Sequence, residues 1–227
     1  MKKEVALNEQ ISMLHTMIKM QEEHNLQVHP EWIKQGYEFY RAMWVECAEM
    51  LDHFGWKWWK QQNGDLDQVK LELVDIWHFA ISELLRQHGG TIDAARAQAI
   101  VAVLAAPNTQ EQSAPANTEL AAEQFRLSIE ALALSCLQSQ SFELEPFKAA
   151  MDALPLPYEE MFALYIGKNI LNRFRQANGY KSGEYRKLWQ GREDNEHLIE
   201  LLAVLGGDPD SLPDRLYQGL EGRYQEG

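Results

Sequence analysis

The sequence predicts an all-α protein, a helical bundle with a rigid core and a smaller inserted helical part. Apolar residues recur at helical spacing along most of the 227-residue chain. Strand signals are nearly absent, because alternating apolar and polar runs are few and no Asn-Gly turn joins two apolar segments. Glycine and proline fall mainly where one periodic segment ends and the next begins, as expected for helices joined by turns.

Turn residues bound the predicted helices. Gly89-Gly90 stops the third helix, and Asn178-Gly179 closes the last long one. The C-terminal segment, residues 207–227, is turn-rich and is predicted to be half ordered. The predicted helices span residues 4–25, 31–55, 66–88, 91–104, 119–139, 144–153 and 158–176.

The amino-acid composition changes in the middle of the chain. After residue 90 the sequence becomes Ala-rich, and near 105–118 it is a low-complexity linker with two prolines. We therefore expect residues 1–89 and 158–227 to form the rigid core, and 90–157 to form an inserted mobile helical subdomain.

Composition excludes some classes of partner. The formal net charge of −13 argues against a nucleic-acid surface, which needs clustered cations. Acidity fits an anionic ligand that arrives with a divalent metal, although it equally serves solubility. No run approaches the ~18 apolar residues of a membrane span. Cys47 and Cys136 fall in helical patterns and are predicted to be buried thiols of a reducing compartment, so we expect a cytoplasmic protein.

Four carboxylates lie on two consecutive apolar helices. Glu46 and Glu49 form an E-x-x-E pair, and Glu72 and Asp75 form an E-x-x-D pair. Spacing i, i+3 puts both acids of a pair on one helix face. Buried carboxylates need paired cations or a metal, and few basic residues lie nearby. Oxygen ligands favour Mg²⁺ or Mn²⁺.

Two other interpretations of the acids stay open. A salt-bridge network would neutralise them without a metal. A ferritin-like di-iron site needs Glu-x-x-His on two helices. Asp75-x-x-His78 gives a weak version, but His53 follows Glu49 at i+4 and the second motif is missing.

Polar side chains on two other helices indicate a ligand. Gln21 and Asn25 continue the apolar stripe of the first helix, so they either tie helices together or bind the edge of a planar ligand. Lys168, Asn172 and Arg175 share one face of a late helix and precede a run of cations. A solvated face and a polyphosphate-binding face are both compatible with that pattern.

These features together resemble the dimeric, all-α dUTPases, in the dUTPase and dCTPase branch of the MazG-like pyrophosphohydrolases. The matching stretches occur in the family's order and cover most of residues 10–88 and 158–198; residues 90–157 match none. They are "MQEEHN" with "VHPEW", "YRAMWVECAEMLDHFGWKWWK", "LELVDIWHF", "YIGKNILNRFRQANGYKSGEYRKLW" and "GREDNEHL".

The resemblance implies a site, a reaction and a homodimer. It implies a metal-binding core that hydrolyses dUTP, and also dUDP, with Mg²⁺ or Mn²⁺, no nucleic acid and no membrane. For this reaction we predict that Glu46 and Glu49 are catalytic, with Glu49 as the general base. The implied residues are Glu46, Glu49, Glu72 and Asp75 for metal; Gln21, Asn25, Trp58 and Asn172 for uracil; His78 and Phe79 for base and deoxyribose; Lys168, Arg175, Tyr180 and Lys187 for phosphates.

Two further functions share much of this pattern. A dCTP or broader dNTP pyrophosphohydrolase of the same superfamily would carry the same acids. A regulatory homologue would bind the nucleotide without hydrolysing it. Comparing the hydrolysis rates of dUTP and dCTP distinguishes a dUTPase from the broader pyrophosphohydrolase. Measuring both binding and hydrolysis of dUTP distinguishes an enzyme from a regulatory homologue.

Overall fold

The computed structural model describes residues 2–108, 118–205 and 212–226. Its described residues fold into α-helices with one small hairpin, which confirms the all-α class. The helices are α1 Lys2–Val28, α2 Phe39–Phe54, α3 Leu66–Gln87, α4 Ala94–Leu104, α5 Thr118–Ser139, α6 Leu144–Ala153, α7 Tyr158–Ala177, α8 Asp194–Leu205 and α9 Leu212–Glu226, with a 3-10 helix at Trp32–Gln35.

The chain divides into two compact units, Met1–Phe162 and Ala163–Gly227. In the first unit α2 packs most extensively against α3 and also against α5, while α1 packs against α3 and α4. The expectation that residues 90–157 are mobile concerns motion and stays a prediction. The predicted linker near 105–118 lies largely outside the described residues, which resume at residue 118.

Helix α3 forms the centre of the first unit. It is buried on almost every side, because apolar residues occupy most of its circumference, as in a core helix. Trp77 is fully buried and stacks on Phe147 of α6, with ring centroids 5.4 Å apart. The N-terminus of α3 is capped by Asp65, whose side chain accepts a hydrogen bond from the Gln68 amide. This buried central helix carries Glu72, Asp75 and Phe79.

The predicted second helix is wrong at its N-terminal end. The segment after Pro30 forms the 3-10 helix Trp32–Gln35, and α2 begins only at Phe39. Gly36 separates the two with a φ of +67°, in the left-handed region that ends helices and favours glycine. Trp32 is buried and meets Phe39 edge to face, so packing rather than helical continuity holds this segment.

The second unit contains a hairpin that the sequence interpretation missed. Strand β1, Leu188–Trp189, pairs antiparallel with β2, Arg192–Glu193. Gln190 and Gly191 form the turn with φ of +51° and +78°, the pattern of a two-residue primed turn. Trp189 is fully buried and contacts Phe174, Tyr185 and Tyr224, so the hairpin closes an aromatic core.

The prediction of a half-ordered C-terminal segment is wrong for residues 212–226, which form α9. Two of its leucines, Leu216 and Leu220, are fully buried, and α9 packs against α8. The apolar contact stabilises a helix that its glycines would otherwise weaken. Residues 206–211 of the same segment lie outside the described residues.

The remaining sequence predictions concern the thiols and the membrane. Both cysteines are buried and free, as predicted, and burial raises the pKa of Cys136 to about 11. Within the described ranges, no helix combines the length and the apolar character that crossing a bilayer requires.

Candidate active site

Three of the four predicted carboxylates converge in the first unit. Glu46 on α2 and Glu72 and Asp75 on α3 each place an oxygen within 4.8 Å of the other two. Glu72 is buried, and the other two are partly exposed. Three carboxylates this close repel one another strongly unless a cation or protons compensate them. Their hard oxygen ligands and open side suit a hydrated divalent cation such as Mg²⁺.

Glu49 is the predicted ligand that stays outside this group of three among the described residues. Its side chain is exposed, one turn beyond Glu46 on α2. An exposed carboxylate can exchange protons with water, which a buried one does less readily. The structure therefore separates the pair into one residue within the cluster and one beside it.

His53 belongs to the site's surroundings and was not among the predicted site residues. Its Nε2 lies 3.4 Å from Oε1 of Glu72. His53 is seven residues from Glu46, which places both on the same face of α2. That i, i+7 spacing was the available signal. His78, by contrast, is buried, and its Nδ1 lies 2.9 Å from the Val74 carbonyl oxygen.

A cleft of about 320 Å³ opens on the same unit. Gln21, Asn25 and Phe79, all predicted to bind the nucleoside, line its wall together. Phe79 lies one turn from Asp75 on α3. Ser82, which was not predicted, also lines the cleft and is hydrogen-bonded to both amides. The structure thus brings three predicted binding residues to one cavity.

Trp58 does not line this cleft. Its side chain is 90% exposed, on the loop that follows α2. The loop is held by Gln62, whose Oε1 accepts hydrogen bonds from the backbone amides of Trp56 and Lys57. Trp58 meets Trp59 edge to face and faces a separate groove that Arg126 of α5 also lines.

The predicted phosphate-binding residues of the second unit form a polar network. Arg175 donates through Nε and Nη2 to the two oxygens of Asp194, each at 2.8 Å, and through Nη1 to Asn172. Lys168 is buried and donates to Asn195 at 3.0 Å. Arg175 links the network, because it donates to Asp194, to Asn172 and, at 3.4 Å, to the same Asn195 oxygen that accepts from Lys168.

The other two predicted phosphate-binding residues lie at the edge of that network. Tyr180 is half exposed, with the Arg175 guanidinium 6.0 Å from its ring centroid. Lys187 is exposed, with its Nζ 3.2 Å from a carboxylate oxygen of Glu193. The sequence interpretation found these cations from their spacing but missed their acidic and amide partners.

Asp194 is a buried anion held by its partners. Its desolvation raises the pKa of the carboxyl, but the hydrogen bonds and charge of Arg175 and the hydroxyl of Tyr185 outweigh this and lower the pKa below its usual value. A fully buried carboxylate with three donors is stable only as a complete network. The network therefore orders the guanidinium of Arg175.

These features define a class: an all-α protein with a carboxylate cluster and, on the same unit, a cleft lined by two amides. The family model described as dUTPase matches residues 13–180, well over half of the chain. The chain belongs to the all-α dUTPase family, which confirms the resemblance seen in the sequence. Membership implies a hydrolase that acts on dUTP and suggests a divalent metal. A search of the curated proteins found no match.

The Asp194 network predicts a pH-dependent stability. Because the folded pKa lies below the unfolded one, its contribution is present above about pH 4 and is lost as the pH falls through the folded pKa. Asp194→Asn should lower the free energy of unfolding by about 3 kcal/mol at pH 7. Denaturant unfolding measured from pH 7 to pH 3 should show the difference from wild type shrinking. The exposed Asp214→Asn is the control, and a pH-independent difference would contradict the assignment.

Proposed function

We propose that this protein hydrolyses dUTP to dUMP and pyrophosphate with a divalent cation, Mg²⁺ or Mn²⁺, and that it also accepts dUDP. The observation that carries the proposal is the convergence of Glu46, Glu72 and Asp75 within 4.8 Å on two packed helices. Family membership supports the substrate, and the cluster supports the metal. As the sequence predicts, we include in the proposal a homodimer in the cytoplasm, since the family is typically oligomeric.

Glu46, Glu72 and Asp75 would hold the cation. A bound divalent cation supplies neutralisation of the polyphosphate charge and lowers the pKa of a coordinated water. The three side chains are pre-organised by α2 and α3, so little ordering remains to be done when the nucleotide arrives. His53, close to Glu72, helps to orient that carboxylate.

Water attacks the β-phosphorus in this proposal, and dUMP leaves as the bond from the α-phosphate oxygen to the β-phosphorus breaks. Glu49 accepts the proton of the attacking water. Attack at this phosphorus accounts for the use of dUDP, which would give dUMP and phosphate. The reaction requires no covalent nucleophile, which agrees with the burial of both cysteines.

The nucleoside would occupy the cleft lined by Gln21, Asn25 and Phe79. Amides supply the donor and acceptor that a base edge requires, and the aromatic ring packs against the sugar. His78, Trp58 and Asn172 stay in the proposal as the family's nucleoside residues. Lys168, Arg175, Tyr180 and Lys187 stay as the phosphate-binding residues, supported by the ordered Arg175 guanidinium.

The first test measures the products and the metal dependence together. Wild type with Mg²⁺ should convert dUTP to dUMP and pyrophosphate, and Mg²⁺ should raise its melting temperature by mass action. Asp75→Asn should lose about 100-fold in metal affinity and the corresponding activity. Asp67→Asn, the same change at an exposed site on α3, is the matched control.

Three results would reject the proposal or its parts. No turnover of dUTP, with the nucleotide still bound, would favour a regulatory homologue. Faster turnover of dCTP than dUTP would favour the broader pyrophosphohydrolase. Full activity of a folded Asp75→Asn variant would remove the metal assignment from the cluster.

Substitution of Glu49 should impair the chemical step and leave metal binding unchanged. Glu49→Gln should keep the Mg²⁺-dependent rise in melting temperature but lower kcat by about 10²-fold or more, because the proton acceptor is lost. Single-turnover hydrolysis of dUTP measures the step directly. Glu130→Gln on α5, also exposed, is the control. Wild-type turnover by a folded Glu49→Gln variant would refute the general-base role.

Phe79 should exclude the ribonucleotide. Packing of its ring against the deoxyribose leaves no room for a 2′-hydroxyl, so Phe79→Ala should raise kcat/KM for UTP relative to dUTP by about tenfold. Tyr37→Ala changes an aromatic residue of the same cleft and should leave the ratio unchanged. An unaltered preference for the deoxy sugar in Phe79→Ala would disprove the packing explanation.

A further inference from the structure

Ser82 of α3 is the buried hub of the cleft's polar wall. Its side chain is 1% exposed, and the residue lines the cleft next to the amides of Gln21 and Asn25 on α1. Along the chain, Ser82 is 61 residues from Gln21 and 57 residues from Asn25. Only the packing of α1 on α3 therefore brings the three side chains together.

The hydrogen bonds of the hub are set by donor and acceptor capacity. Gln21 Nε2 and Asn25 Nδ2 each lie 3.0 Å from Ser82 Oγ. The hydroxyl hydrogen can go to the His78 carbonyl at 3.1 Å or to Asn25 Oδ1 at 3.3 Å. Both targets are acceptors, so with either one Ser82 has its two lone pairs for the amide nitrogens.

This arrangement fixes which end of each amide points where. The oxygen and nitrogen ends of an amide have nearly the same size, so hydrogen bonds alone choose between them. Gln21 Nε2 uses its two hydrogens on Ser82 Oγ and on Asn25 Oδ1, the latter at 3.1 Å. The end of the Gln21 amide that points away from Ser82 is therefore its carbonyl oxygen, an acceptor with two lone pairs. Asn25 Nδ2 has a second hydrogen and can offer a donor.

Uracil and cytosine differ in the property that this wall selects. Uracil N3 carries a hydrogen, and the flanking oxygens accept, whereas cytosine N3 accepts and its N4 donates. A carbonyl oxygen opposite N3 thus pairs with uracil and meets a lone pair in cytosine. Rotating the amide by 180° reverses the preference. The orientation of the amides, and not their mere presence, decides which pyrimidine fits.

We propose that Ser82 is a positioning residue that sets selectivity for uracil over cytosine by holding the Gln21 and Asn25 amides in one orientation. This inference rests on the proposed function and deepens it. Without the hydroxyl, the two amides can turn together and keep their mutual hydrogen bond, with Asn25 then donating to Gln21. The reversed pair presents a donor opposite N3 and accepts cytosine.

The test compares kcat/KM for dUTP and dCTP in wild type, Ser82→Ala and Ser82→Thr. Ser82→Ala should lower the dUTP to dCTP ratio by at least about tenfold, since an unpaired buried polar group is worth about that much. Ser82→Thr, which keeps the hydroxyl, should retain the ratio. Ser128→Ala on α5 is the matched control, because its hydroxyl donates to the Phe125 carbonyl of its own helix at 2.7 Å.

Each outcome decides. The role of Ser82 would be overturned if Ser82→Ala left the dUTP to dCTP ratio unchanged, whether or not kcat/KM fell equally for both substrates. The hydrolase function would remain intact in that case. If thermal melts show that Ser82→Ala does not fold, Ser82→Thr decides, and a lost ratio there overturns the inference. A wild type that cleaves neither nucleotide would instead refute the proposed function itself.

Discussion

The packing of α2 on α3 brings carboxylates into a region where they repel one another. Buried apolar side chains on α2 and α3 hold the two helices together, and Glu46, Glu72 and Asp75 are brought within 4.8 Å by that contact. Apolar burial acts over the whole length of the helices, whereas the repulsion is confined to one point. The fold therefore holds three acidic groups at one point, an arrangement that a divalent cation would stabilise.

Each compact unit contains a buried polar network, and the two networks differ in charge. In the first unit Ser82 joins two neutral amides, and the network orients groups without placing a charge in the cleft. In the second unit Asp194 joins a guanidinium and a hydroxyl, and the network holds a cation in a single geometry. Both depend on complete satisfaction of buried groups, since a half-satisfied network costs more than an apolar core. A neutral hub suits base discrimination, and a charged hub suits an anionic ligand.

Most of the fold was predictable because helices leave a local record. The 3.6-residue period and the helix-ending turns at Gly89-Gly90 and Asn178-Gly179 all act within a few neighbours. The errors occurred where tertiary contacts override that record. Leu216 and Leu220 stabilise α9 in a segment rich in glycine, and Trp189 closes a hairpin of only two residues per strand. Strands of two residues are too short to show a periodic pattern in the sequence.

The sequence by itself determined the all-α class, the two acidic pairs, the amides on α1 and the cations on α7, because each of these patterns repeats along one helix. Only the tertiary structure decided that Glu49 stays outside the acidic group, that Ser82 lies between two amides, and that Asp194 binds Arg175. The physical reason is distance along the chain. A partner 19 to 61 residues away leaves no spacing rule in the sequence, since helix packing alone sets which faces meet.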